Sequence, residues 1–122
     1  TNVSAFNGYF RDPSMCILFA ALAPGAKHDA VEQILLEEIE RLKRDGVTAG
    51  EVEAAVAKQL TDLAFGRDGS FAIAGQINEH IAAGDWQNFV HLGDKLRAVT
   101  PAAVQSAANK YFHADQSTTG WF

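Results

Sequence analysis

Gln76-Ile77-Asn78-Glu79-His80 stands one residue away from H-x-x-E-H, the arrangement in which two histidines a helical turn apart hold zinc and the glutamate between them acts as general base. A catalytic zinc centre usually needs about three converging protein ligands. This stretch supplies one histidine, with Gln76 in the place of the other, and a neutral amide is a poor substitute for imidazole on zinc. The remaining histidines, His28, His91 and His113, each lie more than a helical turn from any other. The spacing instead predicts a packing helix, with Ile77 and Ile81 turned inward and Asn78, Glu79 and His80 along its polar flank. His28-Asp29-Ala30-Val31-Glu32 is a second near miss, but Val31 fills the position where the motif requires Glu and reads as a core residue.

Nucleophilic and phosphate chemistry fare no better. Ser70 sits in G-S-F rather than G-x-S-x-G and reads as a helix cap. Gly66-Arg67-Asp68-Gly69-Ser70 lacks the lysine of a phosphate loop and follows a helical pattern, so it reads as a helix connection. The lone cysteine, Cys16, excludes an internal disulfide or a multi-cysteine metal site, and within MCILFAAL it reads as a buried small hydrophobe. Trp86, Phe89, Tyr111 and Trp121 fall on different elements, which favours packing over an aromatic ligand platform.

The 122 residues suit one domain, and 48% apolar with 20% charged residues is an ordinary globular balance. A net charge of -5 and scattered Lys and Arg argue against nucleic acid as the main partner. No apolar run approaches the ~18 residues of a transmembrane helix, and no signal peptide is visible. The chain lacks a starting Met and opens on strand-like sequence, which leads us to expect a piece excised from a longer protein.

Two strands are expected first. Val3 to Phe10 and Met15 to Leu22 are joined by Arg11-Asp12-Pro13 as an antiparallel hairpin, the second strand covered on both faces. Helices follow, with core stripes Val31, Ile34, Leu35, Ile39, Leu42; Val52, Ala55, Val56, Leu60, Leu63; Ile73, Ile77, Ile81; Phe89, Leu92, Leu96, Val99; and Val104, Ala107, Ala108, Tyr111. Glu37 with Arg41 and Glu40 with Arg44 are i,i+4 pairs, and Gly46 closes the first helix. Thr48 with Glu51, Ser70, Asp85 and Thr100-Pro101 are the start signals. Gln116 to Phe122 reads as a closing strand. The expected class is α+β, a small antiparallel or mixed sheet with about five helices on one face.

The runs FRDPSMCILFAALAPG, HDAVEQILLEEIERLKRDGVTAGEVEAA, GRDGSFAIAGQINEHIAAGDW and VTPAAVQSAANKYFHADQSTTGWF, in this order, resemble the C-terminal half of pitrilysin/insulinase-type zinc metallopeptidases. The resemblance implies two homologous α+β halves around a peptide chamber. The first half carries H-x-x-E-H and a distant Glu; the later half carries no metal and forms the opposite wall. It therefore implies that residues 1–122 are one excised, non-catalytic domain with no catalytic or metal-binding residue and no cofactor of its own, zinc being expected only in a catalytic domain outside this chain. The expected partners are a sister catalytic domain or subunit and peptide substrate, and the isolated chain is expected to self-associate. No binding residue carries over position by position; the hairpin around Tyr9 and Arg11 is the candidate contact for peptide or neighbouring domain. The alternative is a structural, assembly or activating subunit of a two-chain peptidase or of a respiratory complex. A bacterial periplasmic or envelope location fits the resemblance.

Overall fold

Two uncharged stretches, NVSAFN and CILFAA, separated by Arg11-Asp12-Pro13 and followed by amphipathic stripes, produce a hairpin and then helices. The computed structural model describes residues 2–8 and 10–122, so Thr1 and Tyr9 lie outside the described residues. Strands β1 (Asn2–Asn7) and β2 (Cys16–Ala21) form a two-stranded sheet. Helices α1 (His28–Asp45), α2 (Ala49–Phe65), α3 (Gly69–Ala82), α4 (Gln87–Arg97) and α5 (Pro101–Tyr111) follow, then a 3-10 turn at Ala114–Gln116. The chain divides into two compact units: Thr1–Ser4, Leu18–Ala49 and Thr100–Phe122 make one, Ala5–Ile17 and Gly50–Val99 the other.

In the first unit α1 packs against α5. Helix α5 begins as its sequence requires: Thr100 Oγ1 accepts from the Ala103 amide at 3.2 Å, and Pro101 occupies the first turn, where its missing N–H costs nothing. Helix α1 ends at Gly46, with φ 71° and ψ -156°, a conformation open almost only to glycine. Two amides of α5 cover the carbonyls this leaves exposed. Gln105 Nε2 donates to the Lys43 and Arg44 carbonyls at 3.1 and 3.0 Å, and Asn109 Nδ2 donates to Lys43 at 2.9 Å. Ala108 is buried at this contact, small enough to let the helices approach. On the outer face of α1, Arg41 pairs with Glu38 and Lys43 with Glu40, while Arg44 pairs with Asp45 rather than with the expected Glu40.

In the second unit α3 packs against α4. The Asp85 carboxylate accepts from the Gln87 amide at 3.0 Å, as its position before α4 predicts. Ser70 does not cap α3. Glycine at 69, with φ 83°, turns the chain into the helix one residue earlier, and Asp68 precedes it without a side-chain cap bond.

Three expectations are corrected. Gln116 to Phe122 forms no strand, and among the described residues the sheet has two strands rather than three. Strand propensity acts only where an edge is offered. Here the tail's aromatic residues instead engage side chains of α1 and β2. Cys16 is exposed, as are Ile17, Leu18 and Phe19, because among the described residues no second layer covers that part of β2. The helical stripes are only partly inward: Val31, Leu35, Ile39 and Leu42 are half-buried, but Ile34, Ile81 and Tyr111 are 58%, 56% and 65% exposed. Periodicity marks the apolar face, whereas burial also needs a neighbour, and among the described apolar residues only Val52 and Ala108 are buried.

Candidate functional site

The residues nearest to a zinc motif are engaged in holding helices together. Gln76 Nε2 donates to the Gly66 carbonyl at 2.7 Å, fastening α3 to the end of α2. His80 meets the Phe89 ring edge-on at 5.9 Å between centroids, tying α3 to α4, and its carbonyl accepts from Asp85 N at 3.0 Å. Arg67 uses the same ring: its guanidinium lies 4.2 Å from the Phe89 centroid, and Nη2 donates to the Phe89 carbonyl at 2.6 Å. Ile77 is half-buried as the spacing predicts. The polar flank is therefore more structural than the sequence implied, since His80 contributes packing.

The other histidines are equally local. His28 stacks on Trp121 at 5.7 Å, His113 Nε2 lies 3.0 Å from the Lys110 carbonyl, and His91 is exposed on α4. Among the described residues, no three of His, Cys, Asp and Glu converge in a geometry that could hold a metal ion. The side chains of the described residues do not fit a zinc centre.

The sequence points next to the hairpin loop. Arg11 is exposed in the bend after β1; Tyr9 lies outside the described residues. Gly8 is buried because the Phe10 ring and Ser14 Oγ crowd the space a Cβ would occupy, Oγ at 2.9 Å. Glycine thus lets the Phe10 ring lie against the loop backbone. The loop's flanks are apolar and open: Phe6, Phe10 and Met15 are 61%, 68% and 73% exposed. A surface of this kind can take apolar side chains and offer strand-edge hydrogen bonds, with Arg11 as the nearby cation.

Two features escaped sequence reasoning. Trp121 Nε1 donates to Glu32 at 3.2 Å while its ring stacks on His28, and Phe122 lies 6.2 Å from Phe19. The i,i+4 spacing of His28 and Glu32 was visible, but nothing local foretold a partner 89 residues away. The second is a shallow cleft of about 260 Å³ between α2 and α4, floored by Leu60, Leu63 and Gly93 and rimmed by Arg67 and an Asp94–Arg97 ion pair at 3.0 Å.

The five helices and antiparallel hairpin superpose on part of a solved inactive peptidase domain of a zinc protease. Residues 1–59 match the family model described as the Peptidase M16 inactive domain. The sequence is similar to the zinc protease PqqE of Helicobacter pylori, with 24% identity over 113 residues, 93% of this chain and 26% of the relative. The crystal structure of the "inactive peptidase domain of a putative zinc protease" from Bordetella parapertussis superposes with a TM-score of 0.78 and 29% identity, covering 91% of this chain and 59% of that one. A "putative zinc protease" from Bordetella pertussis Tohama I gives 0.82 and 29%, covering 95% and 64%. The chain thus spans about a quarter of its curated relative and about three fifths of the solved chains. The resemblance to an inactive, C-terminal type peptidase domain holds.

Proposed function

We propose that residues 1–122 act as one non-catalytic domain of a zinc-dependent peptidase, forming the wall of a substrate chamber opposite a zinc-bearing domain outside this chain. The observation that carries the reading is the structural likeness to an inactive peptidase domain over 91% of the chain. It is supported by the engagement of Gln76 and His80 in helix packing. In this reading the domain supplies surface rather than chemistry. The hairpin loop with Tyr9 and Arg11 contacts extended peptide or the sister domain: an arginine beside an open strand edge suits backbone carbonyls and carboxylates.

Photo-cross-linking tests the proposal. A peptide substrate with a photoreactive side chain, bound to the native polypeptide or complex that contains this chain, labels residues 1–22. Labelling confined to the zinc-bearing domain contradicts the chamber-wall role.

A further inference from the structure

We propose that the bond between Asp68 and Gly69 is a site of spontaneous backbone modification, rearranging through a cyclic succinimide to an isoaspartyl linkage. The same tripeptide elsewhere in the chain stays intact. Both outcomes are independent of any chamber role.

Ring closure joins the Gly69 nitrogen to Asp68 Cγ, and the carboxyl hydroxyl leaves with the amide proton as water. Water then reopens the ring. Attack at Cγ restores aspartate, whereas attack at the main-chain carbonyl leaves the backbone running through the side chain, with no net change of mass. No oxidant or co-reactant other than water is needed. The requirements are a free amide, an unheld carboxyl and a following residue without a Cβ to shield its nitrogen.

Arg-Asp-Gly occurs twice, at residues 44–46 and 67–69, and the fold wires the two copies oppositely. At the first, Arg44 grips the carboxylate through two bonds, Nε to Asp45 Oδ1 and Nη2 to Oδ2, both 2.8 Å. The Gly46 amide donates to the Leu42 carbonyl at 3.0 Å, and Gly46 is buried. Closure expels water from the protonated carboxyl, and the hydrogen bond from Arg44 holds the Asp45 carboxyl below its ordinary value, so the acid form is scarcer there.

At the second copy the arginine is diverted. Arg67 lies over the Phe89 ring and donates to the Phe89 carbonyl, leaving the Asp68 carboxylate without an ion pair or cap bond among the described residues. Asp68 is exposed and extended, with φ -81° and ψ 108°, outside the helix that constrains Asp45. The Gly69 amide makes no hydrogen bond among the described residues, and nothing lies within 4 Å of where a Cβ would stand. The rearranged linkage lengthens the main chain beside two anchors, the Gly66 carbonyl held by Gln76 and the Phe89 ring held by Arg67. The connection from α2 to α3 thereby ages into a looser form.

Peptide mapping of the full chain, aged in warm neutral buffer, tests this. Cleavage after glutamate separates Asp45, in residues 41–51, from Asp68, in residues 54–79. A parallel sample unfolded in urea, sampled until isoaspartate appears at both positions, supplies the intrinsic rates, which should be comparable because the tripeptides are identical. In the folded chain isoaspartate at 68 should exceed that at 45 by about tenfold or more, the factor equivalent to about 1.4 kcal/mol of local structure to be opened around Gly46. Asp68→Glu, whose longer side chain disfavours the five-membered ring, should remove the signal and so place it at 68 rather than at Asp62 or Asn78 of the same peptide. Equal or greater conversion at 45 in the folded chain overturns the proposal. So does folded chain unmodified at 68 when the unfolded chain is modified at both, or a signal that survives Asp68→Glu.

Discussion

Gln76→His writes H-x-x-E-H into the chain letter by letter, and it should fail to make a zinc enzyme. The substitution removes the Gln76 donor to the Gly66 carbonyl, a 2.7 Å bond at the end of α2. A net hydrogen bond is worth about 0.5–1.5 kcal/mol, and because this carbonyl is open to water the cost falls in the lower half of that range. The amide also fits closely, since a Cβ at Gly66 would lie 2.8 Å from Gln76 Nε2, which leaves little room for a ring. For a domain of this size the loss corresponds to a fall in Tm of about 2–6 °C. A complete zinc site would act in the opposite direction: metal at a thousand times its Kd stabilises by about 4 kcal/mol. The assay is calorimetry of wild type and Gln76→His with zinc and with chelator, together with metal analysis. We predict a lower Tm in the variant and the same Tm with zinc as with chelator. One zinc per chain with a rise of more than about 10 °C would refute the reasoning, because it would require His80 to leave Phe89 and a third ligand to appear.

Three further outcomes follow from the α1–α5 contact and its surroundings. Gln105→Glu replaces a donor by an acceptor against the Lys43 and Arg44 carbonyls and should cost about 1–3 kcal/mol by urea denaturation, more than Ser106→Ala at an exposed neighbouring site. Gly46→Ala, at φ 71° and with Gln105 Cδ 3.2 Å from the new Cβ, should cost about 1–3 kcal/mol; a loss below a few tenths would contradict the assigned backbone. The hydrogen bond from Arg44, and its charge, hold the Asp45 carboxyl below its ordinary value of 3.8. The pair's contribution is present above that value and is lost as pH falls through the lower, folded pKa. An NMR titration should show the Asp45 midpoint rising in Arg44→Ala, while overall stability barely moves because both groups are exposed.

The order of strands and helices was legible because its signals are local. Thr100-Pro101, Asp85 and Gly46 each act through their own or adjacent backbone, and each was found where the sequence put it. The tail was misread for the opposite reason: whether Ser117 to Phe122 becomes a strand depends on an edge elsewhere, and Trp121 finds α1 instead. Ile34 and Ile81 were assigned inward because an apolar stripe records a preference, whereas the structure records which neighbours are present. At the candidate site, the absence of a second histidine from QINEH was plain in the letters. That Gln76 and His80 hold α2, α3 and α4 in place depends on Gly66 and Phe89, ten and nine residues away in sequence.

The central claim is that this chain carries no hydrolytic centre of its own. Its most direct test is zinc content and peptide hydrolysis measured on the same purified sample of residues 1–122, loaded with zinc and then dialysed. We predict zinc well below one equivalent and no cleavage above the buffer rate. One retained equivalent with cleavage that chelator abolishes and His80→Ala removes would contradict the account.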